Sequence, residues 1–260
     1  MLTESLLILA SGGFLSGILS GLLGIGGGFI VVSLLVSLGY TPIQAIATST
    51  LVIVMSSISG SMQNWRMGCL DYKRVIHLGL PALVTAPIGV YLAHQIPPYL
   101  LLITFGVFLI GSIYLVEFRK RLTLKGRNSK ALRINPVLSR IGTGGVTGIL
   151  TGLLGVGGGT VLVPLQMLLL GEPIKLAIQT SLGVIVTTAV SACVGYASEG
   201  NILFIQGFLL GGGGLLGAQI STRFLPKLSE SVVLLIFRTF LGTISISMFW
   251  QAWKIYSQSS

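Results

Sequence analysis

The sequence predicts an all-α fold: a polytopic transmembrane helical bundle of two inverted-topology repeats, with short or re-entrant segments broken by glycine. Three observations predict it. The chain is 52% hydrophobic and 8% charged, with a mean hydropathy of +0.93, whereas a soluble domain carries about 25% charged residues. Its apolar runs are long: no Asp, Glu, Lys or Arg occurs in 5–65, 75–116, 141–171, 176–198, 200–222 or 239–253. The phrase GLLGIGGG at 21–28 returns as GLLGVGGG at 152–159, differing only at Ile25 against Val156.

The runs are helical because a helix needs about 20 apolar residues to cross the hydrocarbon. Strands of a membrane barrel would alternate polar and apolar residues, and these runs do not. Apolar segments fall near 5–23, 25–38, 43–62, 74–94 and 98–118. A second set falls near 137–154, 156–170, 176–197, 202–222 and 231–250. Glu4, in place of a basic run, and the lack of a small-residue cleavage site predict that the first segment is not a removable leader. The second segment of each set is short. About 14 residues reach only about 21 Å of a roughly 30 Å core, which predicts a half-helix or one arm of a re-entrant hairpin.

The two sets align beyond the glycine phrase. Pro42-Ile43 answers Pro173-Ile174, Thr48-Ser49 answers Thr180-Ser181, Gly68 answers Gly200, and Gly89 answers Gly217. The chain therefore divides into a first transmembrane repeat (1–118), a basic linker (119–136) and a second transmembrane repeat (137–260). Eight of the 16 basic residues lie between Arg119 and Arg140, with no acid among them. In so apolar a chain this run reads as a cytoplasmic loop under the positive-inside rule, not as a nucleic-acid footprint. Counting crossings outward from it, the 62–74 loop is cytoplasmic and holds Arg66, Lys73 and Arg74, and the 223–230 loop holds Arg223 and Lys227. Both termini are expected outside, and the two halves are expected upside down relative to each other. Inverted repeats of this kind characterise secondary transporters, whose substrate site lies at the repeat interface near the bilayer midplane.

Consecutive glycines cost a helix about 1 kcal/mol each relative to Ala. A broken helix in lipid must hide its free backbone in protein or in a wet cavity. The helix that resumes after the break presents unpaired N–H groups and a dipole, which suit an anion. Gly26, Gly27 and Gly28, with Gly157, Gly158 and Gly159, are the first substrate-binding candidates. The preceding glycines at 17, 21 and 24, and at 148, 152 and 155, suit close helix packing instead. A nucleotide-binding glycine loop finds little support, since no strand pattern precedes the phrase and no Lys follows the glycines. Thr48, Ser49, Thr180 and Ser181 are the next candidates, since hydroxyls donate to oxyanions without fixed charge, although back-bonding to the previous turn competes for them. Gln179 adds an amide donor in the second copy only, and Gln166 is a weaker candidate of the same kind. Arg238 is the basic residue deepest in a predicted helix, and snorkelling toward the cytoplasm is its alternative reading.

The acids, Glu4, Asp71, Glu117, Glu172, Glu199 and Glu230, all fall at segment ends or loops, so no midplane carboxylate offers itself as a proton carrier. No metal or other cofactor is implied: His77 and His94 are on different parts of their helix. Cys69 and Cys193 read as small packing residues. Enzyme motifs such as G-x-S-x-G and H-E-x-x-H are absent from the sequence, and the protein is not expected to be an enzyme.

The doubled G-L-L-G-x-G-G-G, the following Val31-Val32 and Leu162-Val163-Pro164, the A-x-x-T-S and A-x-Q-T-S elements, and the turn Gly200-Asn201-Ile202 resemble the sulfite exporter TauE/SafE family of bacterial membrane proteins. The resemblance covers nearly the whole chain. It departs in the first copy, where Cys69 stands in the place of Asn201. The resemblance implies a multi-pass inner-membrane exporter of small sulfur-containing anions, such as sulfite or sulfonates. Proton-coupled import of a related anion such as thiosulfate and a non-transporting scaffold are the alternatives. The partners implied are the small anionic substrate and the lipid bilayer, and a homodimer is compatible with the sequence.

Overall fold

The computed structural model describes residues 2–93, 95–96, 100, 103–114, 136–154 and 158–259. Gly157 and the linker 119–136, apart from Pro136, lie outside the described residues. The described residues form helices and no strand. In chain order these are α1 (Leu2–Leu23), α2 (Gly28–Ser37), α3 (Pro42–Arg66) and α4 (Tyr72–Ala93), then α5 (Ile103–Tyr114). They continue with α6 (Pro136–Leu154), α7 (Gly159–Leu165), α8 (Ile174–Ser198), α9 (Phe204–Phe224) and α10 (Glu230–Ser259). Ile43–Arg66, Ile174–Ser198 and Glu230–Trp253 are each long and apolar enough to cross a membrane.

The helix ends follow from local chemistry. α3 opens with a capping box: Thr41 Oγ1 accepts from the Gln44 N–H, Gln44 Oε1 accepts from the Thr41 N–H, and Pro42 occupies the first turn. Pro164 lies inside α7, where a ring without an N–H disturbs the helical ladder. The chain then widens into a π turn at Gln166–Leu170. The short second segment of the first copy is shorter than its apolar run suggests: α2 has 10 residues, about 15 Å.

α2 folds back along α1. Ser16 Oγ donates to the Gly27 carbonyl at 2.8 Å, and a Cβ on Gly12 would meet the Leu34 side chain. As 12 pairs with 34 and 16 with 27, the two helices run antiparallel, joined by a turn in which Gly26 (φ 80°) and Gly27 (φ 76°) are left-handed. Only glycine adopts that conformation without strain. The turn lies at mid-depth, since Ser56, near the middle of α3, donates through Oγ to the Gly26 carbonyl at 3.2 Å.

Glycines set the long-range packing. α1 packs along α9, where Gly13 faces Leu210, Gly17 faces Gly214 and Gly21 faces Ser221. α6 packs along α4, where Gly144 faces Leu78 and Gly148 faces Ala82. In both pairs the residue numbers rise together, so the helices run parallel, and backbone meets backbone where a side chain would not fit. These two pairings exchange when the copies are exchanged, because α6 is the counterpart of α1 and α9 that of α4. α3 and α8, also counterparts, run in opposite directions: Ile53 packs with Ile185, while Gly60 lies against Leu182. A larger apolar core joins α5 and α10, through Phe105, Leu109, Phe237 and Leu241, to Leu23, Val161 and Ile178.

Candidate functional site

Between the two copies lies a cavity of about 860 Å³. Its walls come from the start of α2 (Gly28, Phe29), the first half of α3 (Ile46, Ser49, Thr50, Ile53), α4 (Ala82, Ala86) and the end of α6 (Thr147, Thr151). The start of α7, the second half of α8 from Val184 to Tyr196, and Phe240, Met248 and Gln251 of α10 close it. Because α3 and α8 run oppositely, the first half of one and the second half of the other lie on the same side of the Ile53–Ile185 contact. The cavity therefore lies on one side of that contact.

The glycine phrases meet at its floor. A Cβ on Gly159 would lie 2.5 Å from Ile25 Cα and 2.8 Å from the Gly24 carbonyl carbon. Ser181 Oγ donates to the Gly24 carbonyl at 2.8 Å, which ties α8 to the first phrase. Ile25, Gly28 and Gly158 face the cavity beside this junction.

Among the described residues no Asp, Glu, Lys, Arg or His lines the cavity, whose walls are apolar side chains interspersed with hydroxyls and the Gln251 amide. Several hydroxyls bond their own helix: Ser49 Oγ to Ile46 O at 2.7 Å, Thr50 Oγ1 to Ala47 O at 2.6 Å and Thr147 Oγ1 to Thr143 O at 2.7 Å. Thr151 differs. Its Oγ1 is buried with no hydrogen-bond partner among the described residues, and it lies 3.6 Å from where a Gly158 Cβ would stand. A buried hydroxyl without a partner is costly, and a ligand oxygen would satisfy it.

The structure sorts the sequence candidates into two groups. Gly28, Ser49 and Gly158 line the cavity. Gly26, Gly27, Thr48, Gly159, Gln179, Thr180 and Ser181 are buried and do not line it. Thr48 Oγ1 accepts the Leu203 N–H at 3.0 Å, serving the start of α9. Gln166 Nε2 donates to Ala177 O at 3.2 Å and holds the π turn to α8. Arg238 is half-buried on α10 and is not a lining residue. Sequence reasoning missed Thr147 and Thr151, although a signal was present: they stand in T-G-I-L-T-G where the first copy has Ser16 and Ser20 in S-G-I-L-S-G.

On the far side of the Ile53–Ile185 contact, Arg74 at the start of α4 pairs with Glu172 at 3.2 Å and with Asp71 at 3.0 Å. Glu172 lies in the turn before α8. Burial pushes its carboxyl above the ordinary value of 4.5, against the pull of Arg74 and Arg140 and with a small push from Asp71.

Residues 9–248 match the family model described as Sulfite exporter TauE/SafE. The chain is 25% identical to the probable membrane transporter protein YunE of Bacillus subtilis, over 95% of this chain and 98% of that one. It is 32% identical to the probable membrane transporter protein MJ0441 of Methanocaldococcus jannaschii, over 71% of this chain and 69% of that one. It is 27% identical to Sulfite exporter TauE/SafE family protein 6 of Arabidopsis thaliana, over 38% of this chain and 23% of that one.

Proposed function

Since the chain belongs to the sulfite exporter TauE/SafE family, whose members here carry the names of membrane transporters, we propose that it exports small sulfur-containing anions of the sulfite and sulfonate class. The observation that carries this reading is the uncharged, hydroxyl-bearing cavity whose floor is the junction of the two glycine phrases. Such a site holds an anion by neutral donors: the Thr151 hydroxyl, which has no hydrogen-bond partner among the described residues, the Ser49 and Thr50 hydroxyls when they rotate away from their own helix, and the first N–H groups of α2. Gly28 and Gly158 keep the approach to these donors clear of side chains. Neutral donors discharge an anion more readily than a fixed cation would.

The opposed directions of α3 and α8, and the exchange-related pairs α1–α9 and α4–α6, support two inverted repeats, 1–118 and 137–260, around this site. The Lys and Arg distribution supports a cytoplasmic 119–136 linker and external termini. In that orientation the cavity lies in the outer half of the bundle. Export of an anion from a negative interior is downhill by about 2.3 kcal/mol per charge per 100 mV, so the gradient and the potential suffice to drive it.

The test is flux of sulfite, a sulfonate and thiosulfate in proteoliposomes at clamped voltage. An interior-negative potential should produce net efflux without a pH gradient. Efflux that requires a pH gradient and ignores voltage would replace this reading with proton coupling, and no flux of any of the anions would remove it. Reporter fusions at Lys125 should read cytoplasmic and those after Ser260 periplasmic.

A further inference from the structure

Beyond the Ile53–Ile185 contact, away from the cavity, the bundle encloses polar side chains that no described residue satisfies. Ser57 Oγ, Ser61 Oγ, both amide atoms of Asn64, Ser20 Oγ and Thr222 Oγ1 are buried with no hydrogen-bond partner among the described residues. Ser57, Asn64, Ser20 and Thr222 are fully buried. Ser57, Ser61 and Asn64 are spaced four and then three residues apart on α3, so they share one helical face. That face continues the one through Ile46, Thr50 and Ile53, which lines the cavity. Thr222 lies beside Gly60 at the same depth, 3.2 Å from where its Cβ would be.

The second copy shows what the counterpart of this face does. The register that matches Thr48-Ser49 to Thr180-Ser181, and Gly68 to Gly200, matches Ser57, Gly60 and Asn64 to Ala189, Ala192 and Tyr196. All three of those α8 residues line the open cavity. The same stretch of helix is thus a cavity wall in one copy and a closed, unsatisfied polar face in the other. Buried polar atoms without partners are rare and costly, and here they form a line from the floor of the cavity toward the end of α3.

We propose that Ser57, Ser61 and Asn64 line the closed half of the translocation path, and that the Asn64 amide is a hydrogen-bond contact for the oxyanion when that half opens. This rests on the transporter reading and adds to it. The anion enters a second polar section, opposite the one open here, and the two sections open alternately. An amide suits this position because Nδ2 donates to an oxyanion without a charge that would trap it.

The test uses the full chain with Cys69→Ser and Cys193→Ser, carrying either Ser57→Cys or Ala189→Cys. Each is exposed to a charged, membrane-impermeant methanethiosulfonate applied from one face of the vesicle at a time, before any sulfite is added. Ala189→Cys should react from one face, and Ser57→Cys from the opposite face, with loss of subsequent sulfite flux. Asn64→Asp, which places a negative charge on the path, should lower sulfite flux by about tenfold or more, the loss that ~1.4 kcal/mol of added barrier produces. Asn64→Gln should retain more flux than Asn64→Asp. Ser57→Cys inert from both faces, or reactive from the same face as Ala189→Cys, in a preparation whose parent chain carries sulfite, overturns the inference and leaves the transporter reading standing. A parent chain that carries none of the anions removes the transporter reading. Labelling of Ser57→Cys from the face opposite to Ala189→Cys would still establish two alternately open sections.

Discussion

Gly159 lies directly against the backbone of Gly24: a Cβ at 159 would stand 2.8 Å from the Gly24 carbonyl carbon and closer still to its oxygen. The same carbonyl accepts the Ser181 hydroxyl at 2.8 Å. The repeated phrase is therefore not two separate features. One copy's glycines are packed on the other's, and α8 fastens the junction.

That contact predicts an asymmetry within the second phrase. Gly159→Ala forces backbone apart and should cost about 1–3 kcal/mol, the usual penalty for overpacking a tight core. Gly158→Ala should cost much less, since among the described residues its Cβ would meet nothing nearer than Thr151 at 3.6 Å and its φ of −46° suits any residue. Thermal melting of the two variants in detergent checks the order. Equal losses would mean that the contact at Gly159 relaxes freely.

The hydroxyls divide in the same way. Ser181→Ala should lower stability by about 1–3 kcal/mol, because the buried Gly24 carbonyl loses its side-chain donor. Thr48→Ala should cost about 1 kcal/mol, as loss of a helix cap does, since the Leu203 N–H at the head of α9 loses its acceptor. Neither should change which anion is preferred. Thr151→Val keeps the shape and removes a hydroxyl that has no hydrogen-bond partner among the described residues, so it should weaken anion affinity at little cost in stability. Melting curves read beside the concentration dependence of flux separate the two groups. A Thr48 variant with altered anion preference would put that residue back in the site.

How much of this was legible in the chain depends on what periodicity can see. The all-helical class and the glycine-broken short segments followed from composition and repetition. Which hydroxyl faces the cavity did not. Thr48 and Ser49 are adjacent, and one residue turns the helix by about 100°, so Ser49 meets the cavity while Thr48 meets α9. The apolar pattern carries no information on that choice, because every face of these helices is apolar. Thr147 and Thr151 were visible as repeats of Ser16 and Ser20. They are hard to single out because a hydroxyl in an apolar helix most often bonds its own backbone. The partner of Glu172 was out of reach as well, since Arg74 lies in the other copy.

Glu172 gives a pH dependence with a definite sign. Its folded-state value is raised above 4.5, chiefly by burial. The folded protein therefore binds this proton more tightly than the unfolded chain. The stabilising contribution is fully present below 4.5 and is lost as pH rises through the folded-state value. Relative to Glu172→Gln, which cannot titrate, the natural chain should lose melting temperature as pH rises from below 4.5 toward neutrality. A relative gain over that range would show that the Arg74 ion pair outweighs burial.

In the proposed function an anion passes through the cavity above the glycine junction. The most direct test of that passage is flux through a chain whose cavity can be plugged. With Cys69 and Cys193 replaced by Ser, Ala86→Cys places a single thiol on the cavity wall. Sulfite flux in proteoliposomes is measured before and after reaction with a bulky impermeant thiol reagent. Saturable flux that is lost on labelling Ala86→Cys, and untouched by the reagent in the cysteine-free parent, is the predicted result. Saturable flux that persists unchanged after complete labelling would contradict it, because the anion would then be crossing by another route.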